Sequence, residues 1–139
     1  MTFLTAGILL SGDIVSKEIV STTVSNIYKT ITGISEYNLE HINELLEELD
    51  LYKKIEIVES IFENNKLDIS KKTYNIALNN LHEISEKISN ELETLKNDIE
   101  HYKTLYLKNF RNHNYVKILE NLKRHSKILD NRLDLLLKL

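Results

Sequence analysis

Hydrophobic residues along this chain recur every three or four positions, the spacing that places them on one face of an α-helix. The first helical segment is predicted over about 3–32, and Gly33 suits a left-handed C-cap. A strand over residues 7–15 is the competing interpretation of its beginning. The apolar face of this segment comprises Val20, Val24, Ile27, Ile31 and Ile34.

A second helix is predicted over about 36–63, with Ser35 as its N-cap. Asn64 and Asn65 follow it and favour a turn. Its apolar stripe comprises Leu39, Ile42, Leu46, Leu49, Tyr52, Ile55, Val58 and Phe62.

The third segment, about 71–108, has the most regular pattern, a sustained 4-3 repeat typical of coiled-coil packing, and Ser70 could cap it. A helix of this length would extend over roughly 55 Å and could kink or project. Its stripe comprises Tyr74, Leu78, Leu81, Ser85, Ile88, Leu92, Leu95, Ile99, Tyr102 and Tyr106. The fourth segment, about 115–137, continues the repeat with Leu119, Leu122, Ser126, Leu129, Leu133 and Leu136.

Short connections between these segments predict that successive helices lie antiparallel. We therefore expect an all-α protein: a single domain over 1–139, folded as an antiparallel, up-down-up-down four-helix bundle with a long heptad-patterned third helix.

Composition narrows the chemistry. Hydrophobic residues make up 42% of the chain and charged residues 28%, and there are three glycines, no proline and no cysteine. Disulfides and thiolate zinc sites are excluded, and no glycine-rich phosphate loop, H-E-x-x-H or G-x-S-x-G motif occurs. No Glu-x-x-His pair of the di-iron bundles is present either. We expect no enzymatic activity, no catalytic residues, no cofactor and no metal site.

The net charge of −3 conceals a separation of charge. Residues 36–63 contain nine acids against Lys53 and Lys54. Residues 101–127 contain seven bases against Glu120, forming a candidate basic patch: Lys103, Lys108, Arg111, Lys117, Lys123, Arg124 and Lys127. Such a patch could face nucleic acid, anionic lipid or an acidic protein surface. The favoured alternative is that these bases neutralise the acidic second helix of the same bundle. A mildly acidic chain makes nucleic acid an unlikely partner.

The beginning of the chain carries more apolar residues than one narrow stripe needs, and the candidates for an interface or a membrane contact are Phe3, Leu4, Ile8, Leu9 and Leu10. Burial as a central helix, a partner interface and membrane insertion all fit this composition. Asp13 interrupts the run before the length of about 20 residues that a spanning helix needs. No basic segment typical of a secretory signal precedes it.

The sequence has two resemblances to known classes of protein. Residues 101–115 (HYKTLYLKNFRNHNY) and 118–133 (ILENLKRHSKILDNRL) resemble small helical proteins of large DNA viruses of the mimivirus kind. That resemblance implies an intracellular viral protein. An apolar first helix with Ala6-Gly7-Ile8-Leu9, leading a four-helix bundle, resembles the HeLo-type domains of cell-death proteins. That resemblance implies permeabilisation of membranes.

The leading hypothesis is a non-enzymatic interaction or assembly module that associates with itself, or with another protein, through the long third helix or the apolar N-terminal segment. A membrane-active bundle that uses residues 1–15 is the alternative, and nucleic-acid binding by residues 101–127 is the third. We expect an intracellular location, in the cytoplasm, or in the host cytoplasm or virion if the protein is viral.

Overall fold

The computed structural model describes the backbone of residues 15–64, 72–105 and 115–139, and the side chains of all of these except 64 and 102–105. This part of the chain is a helical bundle without strands. Its five helices are α1 (Lys17–Ser35), α2 (Glu40–Leu49), α3 (Leu51–Asn64), α4 (Lys72–Leu105) and α5 (Val116–Leu137). The competing strand over residues 7–15 lies outside the described residues except for Val15, which is not in a strand.

Helix α1 begins where Ser16 caps it: the Ser16 hydroxyl accepts a hydrogen bond from the backbone N–H of Ile19 at 3.3 Å. Its predicted apolar face is confirmed. Val20, Val24, Ile27, Ile31 and Ile34 are all buried.

The predicted end of this helix is wrong. Gly33 is not a left-handed cap, because α1 continues through it to Ser35, and the C-cap is Glu36. Ser35 does not cap the next helix either: its hydroxyl donates to the carbonyl oxygen of Thr32 at 2.7 Å, inside α1. The left-handed residue of this connection is Asn38, with φ of 55°. Asparagine tolerates that conformation better than most side chains, so it replaces the glycine that the pattern suggested.

Gly33 instead faces the side chain of Lys96 on α4. A Cβ added at Gly33 would lie 2.8 Å from Lys96 Cε and 3.1 Å from Nζ, both at the far end of a flexible chain. We expect Gly33→Ala to raise the free energy of unfolding by about 0.5–1 kcal/mol, because alanine is the better helix former and Lys96 can swing aside. Urea unfolding of Gly33→Ala, alone and combined with Lys96→Ala, measures this. A destabilisation that Lys96→Ala fails to relieve would contradict it.

The second predicted helix is two helices. Asp50, with φ of 52°, adopts the left-handed conformation and separates α2 from α3. This break shifts the apolar stripe by one position. Leu51 is 1% exposed, whereas Tyr52, which the pattern placed on the stripe, is 44% exposed. Of the other predicted stripe residues, Ile42, Leu46, Ile55, Val58 and Phe62 are buried, while Leu39 and Leu49 are half-buried.

Helix α4 is continuous over 34 residues, and the middle of its heptad stripe is buried against the other helices of the same chain. The side chains buried along it are Leu78, Leu81, Ser85, Ile88, Leu92, Leu95 and Ile99. Tyr74 is half-buried, while Tyr102 and Tyr106 lie outside the described side chains, and Ser70 lies outside the described residues. On α5 the buried positions are Leu122, Ser126, Leu129, Leu133 and Leu136.

The two serines on these stripes are satisfied locally or across helices. The Ser85 hydroxyl donates to the carbonyl oxygen of Leu81 at 2.9 Å, and Ser126 accepts from Lys54 Nζ at 3.0 Å. A buried hydroxyl needs such partners, and with them it fits an apolar stripe. One apolar cluster contains buried residues from all five helices, so the core is continuous.

Polar contacts between neighbouring helices show the relative direction in which those helices run. Along α1 and α4, the Val15 N–H donates to Asn79 Oδ1 at 3.0 Å, and Asn26 Nδ2 donates to Glu93 Oε1 at 2.6 Å. Residue numbers therefore increase in the same direction along α1 and α4. Along α1 and α3 they run oppositely: Lys17 Nζ donates to the Glu63 carbonyl oxygen at 3.4 Å, while the hydroxyls of Thr32 and Tyr52 lie 2.6 Å apart.

Candidate interaction surfaces

The predicted apolar candidates Phe3, Leu4, Ile8, Leu9 and Leu10 lie outside the described residues. The first described residue, Val15, is 2% exposed and bonded to Asn79 of α4. Val15 therefore lies at a buried point near the beginnings of α1 and α4.

Exposed apolar side chains gather at the same end of the described bundle. Arg132 Nη1 of α5 donates to the Asn80 carbonyl oxygen of α4 at 2.7 Å, which places the last turns of α5 beside the first turns of α4. Ile76 lies one turn before Asn80, and Leu135 about one turn after Arg132. The exposed apolar end, as we call it, comprises Ile76, Leu135, Leu137 and Leu139, which are 46–70% exposed.

The predicted basic patch is only partly described. Lys103 lies in α4, but its side chain is not described, and Lys108 and Arg111 lie outside the described residues. The other four bases are exposed on the first half of α5, and we call them the basic face: Lys117, Lys123, Arg124 and Lys127. Spacings of three, four and seven residues keep them on one side of the helix. Arg124 Nη2 donates to Asn121 Oδ1 at 3.1 Å, which holds its guanidinium along the helix.

The acids of the second predicted helix form a separate, exposed surface on α2 and α3. The acidic face, as we call it, spans α2 and α3 and the residue between them. Its exposed members are Glu40, Glu44, Glu47, Glu48, Asp50, Glu56 and Glu63, and Glu59 is half-buried. Their exposure places these acids away from the buried apolar stripe.

The ion pairs in the described residues do not join these two faces. The one ion pair between α3 and α5 links Lys54 Nζ to Asp130 Oδ1 at 2.9 Å, so the base comes from the acidic helix and the acid from the basic one. The remaining pairs lie within or between α4 and α5, for example Arg132 with Glu83 at 3.1 Å. The interpretation that the basic patch neutralises the acidic helix within the bundle therefore finds no direct contact among the described residues.

A cleft of about 350 Å³ opens between the last turn of α1 and the break between α2 and α3. Its floor is apolar, from Ile31, Leu46 and Leu51, and its polar lining includes Asn43, Glu47 and Asp50. The Asn43 side-chain oxygen is buried and accepts no hydrogen bond. None of the described residues that line the cleft carries a cationic side chain. Beside it, the rings of Tyr28 and Tyr52 stack with centroids 5.0 Å apart and planes inclined by 15°.

Burial and nearby carboxylates both raise the pKa of the Tyr28 phenol. Burial raises the pKa of Tyr28, and the charges of Glu59 and Glu56 raise it further. The negative potential of the acidic face thus reaches the tyrosine pair.

A buried histidine on α4 was not singled out by the sequence pattern. His82 is 1% exposed, its Nδ1 has no hydrogen-bond partner, and its Nε2 lies 3.1 Å from Glu86 Oε1 without the alignment of a hydrogen bond. Burial lowers the pKa of His82, and the neighbouring Glu86 carboxylate opposes this only in part. The ring is therefore neutral in the folded protein near pH 7. Its position beside the Leu78–Leu81 stripe was the available signal.

Neither a clustered metal-ligand set nor a membrane-spanning helix occurs among the described residues. No group of three or more His, Asp or Glu side chains there is placed to hold a metal ion. No helix in that part of the chain is long and apolar enough to cross a bilayer.

Comparison with known proteins adds no family. No protein-family model, no curated protein and no solved structure matches this chain.

Proposed function

We propose that this chain is a non-enzymatic helical interaction module that associates with copies of itself. The observation that carries the proposal is the pair of exposed, oppositely charged faces that make no ion pair with each other within the described residues. Each face of one copy is thus available to the other face of a second copy. Association through complementary charge also agrees with a net charge of only −3, which gives weak overall repulsion.

The architecture we propose for the module is an antiparallel, up-down-up-down four-helix bundle over 1–139, with α2 and α3 together as its second member. The matched contacts support it: residue numbers run oppositely between α1 and α3 and together between α1 and α4. Between α4 and α5, Arg132 meets Asn80 and Glu83, while the charge of Glu91 acts on His125, so these numbers also run oppositely.

Burial of the heptad stripe constrains how self-association would occur. Leu78 to Ile99 are already covered by the chain's own helices, so a coiled coil between copies would require the bundle to open. Association through the outer, charged faces needs no such rearrangement. The apolar N-terminal segment stays a predicted second contact.

Sedimentation velocity at several salt concentrations tests this proposal. We expect a species larger than 16.3 kDa at low ionic strength that dissociates as salt is raised, because exposed charges are screened within about 8 Å at physiological ionic strength. An oligomer that persists unchanged at high salt would point to an apolar interface instead. A monomer under all conditions would contradict self-association.

Membrane action is the second candidate function, favoured by one observation. The exposed apolar end lies near Val15, the last residue of the predicted apolar N-terminal segment in the sequence. We propose that the two would contact one lipid surface together. Vesicles containing anionic lipid should then bind the protein, and Leu9→Glu should weaken that binding. Binding equal to that of Leu9→Glu, or no binding at low salt, would exclude this candidate.

The other expectations stay predictions. The basic face, exposed on α5, could also bind nucleic acid, in which case affinity would fall steeply with salt and Lys123→Glu with Arg124→Glu would abolish it. Viral origin, kinship with HeLo-type domains and an intracellular location rest on the sequence alone.

A further inference from the structure

We propose that the cleft between α1 and the α2–α3 break receives a basic side chain from α5 of a second copy of this chain. This inference rests on the proposed self-association and specifies which surfaces meet. It assigns the cleft as the acceptor, and Lys123, Arg124 and Lys127 as the donors.

The lining of the cleft determines the chemistry of its occupant. Ile31, Leu46 and Leu51 provide an apolar floor, and the carboxylates of Glu47 and Asp50 are exposed at its edge. The hydroxyls that border it are already used, since Ser35 donates to the Thr32 carbonyl oxygen and Tyr52 pairs with Thr32. A lysine or arginine matches this arrangement, because its aliphatic stem covers apolar surface while its charged group meets carboxylates.

The break at Asp50 creates this arrangement. An uninterrupted helix would continue the apolar stripe at Tyr52, but the left-handed residue turns Leu51 into the core and leaves Tyr52 at the surface. Asp50 and Glu47 then flank the opening, joined by the hydrogen bond from the Asp50 N–H to the Glu47 carbonyl oxygen at 3.0 Å. The site is therefore a product of the backbone conformation as well as of the acidic sequence.

A second copy is the occupant that charge complementarity favours. Lys123, Arg124 and Lys127 are exposed and make no ion pair within the described part of the chain, and Arg124 donates a hydrogen bond to the neutral Asn121. Each copy carries one cleft and one basic face. Two copies related by a two-fold axis could therefore make the contact twice, as closed homodimers do.

Complementary charge reversal tests the proposal. The cleft variant is Glu47→Lys with Asp50→Asn, since asparagine keeps the left-handed conformation at residue 50. The α5 variant is Lys123→Glu with Arg124→Glu. We expect each variant alone to dissociate at least about tenfold more readily than the parent, as loss of a close charge pair implies. Mixing the two variants should restore association, because both contacts then pair opposite charges.

The control variant is Lys29→Glu with Lys72→Glu, which changes two exposed lysines outside both surfaces and the net charge by the same amount as the α5 variant. It should associate as well as the parent does. Circular dichroism confirms that each variant is folded before its mass is measured by light scattering.

Zero-length carbodiimide crosslinking of the unaltered protein provides a measurement that does not depend on variants. Isotope-labelled and unlabelled copies are mixed, and we expect mixed-label crosslinks that join Glu47 or Asp50 to Lys123 or Lys127. If charge reversal leaves association unchanged, or if mixing the two variants does not restore the association that each has lost, the cleft is not the acceptor. Self-association itself would still stand. A parent that never associates would overturn the proposed function itself.

Discussion

Leu95→Ala is expected to lower the free energy of unfolding by about 2–5 kcal/mol, the range observed when a fully buried leucine is truncated. Leu95 lies on the interior face of α4 and is 0% exposed. The loss combines the apolar contacts of the missing atoms with the cavity that remains. Because small domains are stable by only about 5–15 kcal/mol, this one change would remove a large share of the total.

Urea or thermal unfolding at low protein concentration measures this effect, with Leu135→Ala as the matched control. Leu135 is also a leucine, but it is 58% exposed. Its truncation should therefore change the free energy of unfolding by less than about 0.5 kcal/mol. Equal effects of the two substitutions would show that the stripe from Leu78 to Ile99 is not the core of the single chain.

Acidification is expected to destabilise the protein through His82. Burial lowers the pKa of His82 below its ordinary value of 6.5, so the folded protein holds the ring neutral. The stabilising contribution is complete above pH 6.5. As the pH falls below 6.5, the unfolded chain takes up a proton that the folded chain does not, and stability is lost by at most about 1.4 kcal/mol per pH unit for that proton.

Unfolding free energies measured between pH 8 and pH 5.5 test this, before most carboxylates titrate. His82→Leu should flatten the dependence, because leucine fills a buried site without an ionisable group. His125→Gln should flatten it less: burial also lowers the pKa of His125, but that ring is only half-buried. Parallel curves for the parent and His82→Leu would contradict the account.

The regular part of the fold could be predicted from spacing alone. Alternating steps of three and four residues identified the interior faces of α1, α4 and α5, because burial of one helical side is what maintains such a pattern. The same rule even placed Ser85 and Ser126 inside, since their neighbours on the stripe fixed their orientation. The boundaries of α5 were predicted within one residue.

The break at Asp50 could not be predicted from that pattern. Glycine and proline are the usual signals of a turn, and this position has neither. A left-handed aspartate within an acidic helical sequence looks like any other polar surface residue. After Leu49, either Leu51 or Tyr52 could continue the apolar stripe, because both side chains are largely apolar. The spacing alone therefore did not distinguish a continuous helix from a broken one.

The contacts that define the candidate site are also beyond local pattern. Lys54 and Asp130 are separated by 76 residues, and their pairing depends on how α3 and α5 pack. Charge counting located the acidic and basic segments correctly but suggested that they neutralise each other. It could not show that the one ion pair between α3 and α5 among the described residues uses the minority charge of each helix. The majority charges of both helices stay exposed.

Molar mass by size-exclusion chromatography with light scattering, across a range of protein concentrations at low ionic strength, tests the central claim most directly. Self-association through the acidic and basic faces predicts a mass that rises from 16.3 kDa toward a multiple of it as concentration increases. A mass of 16.3 kDa at every concentration would contradict the claim.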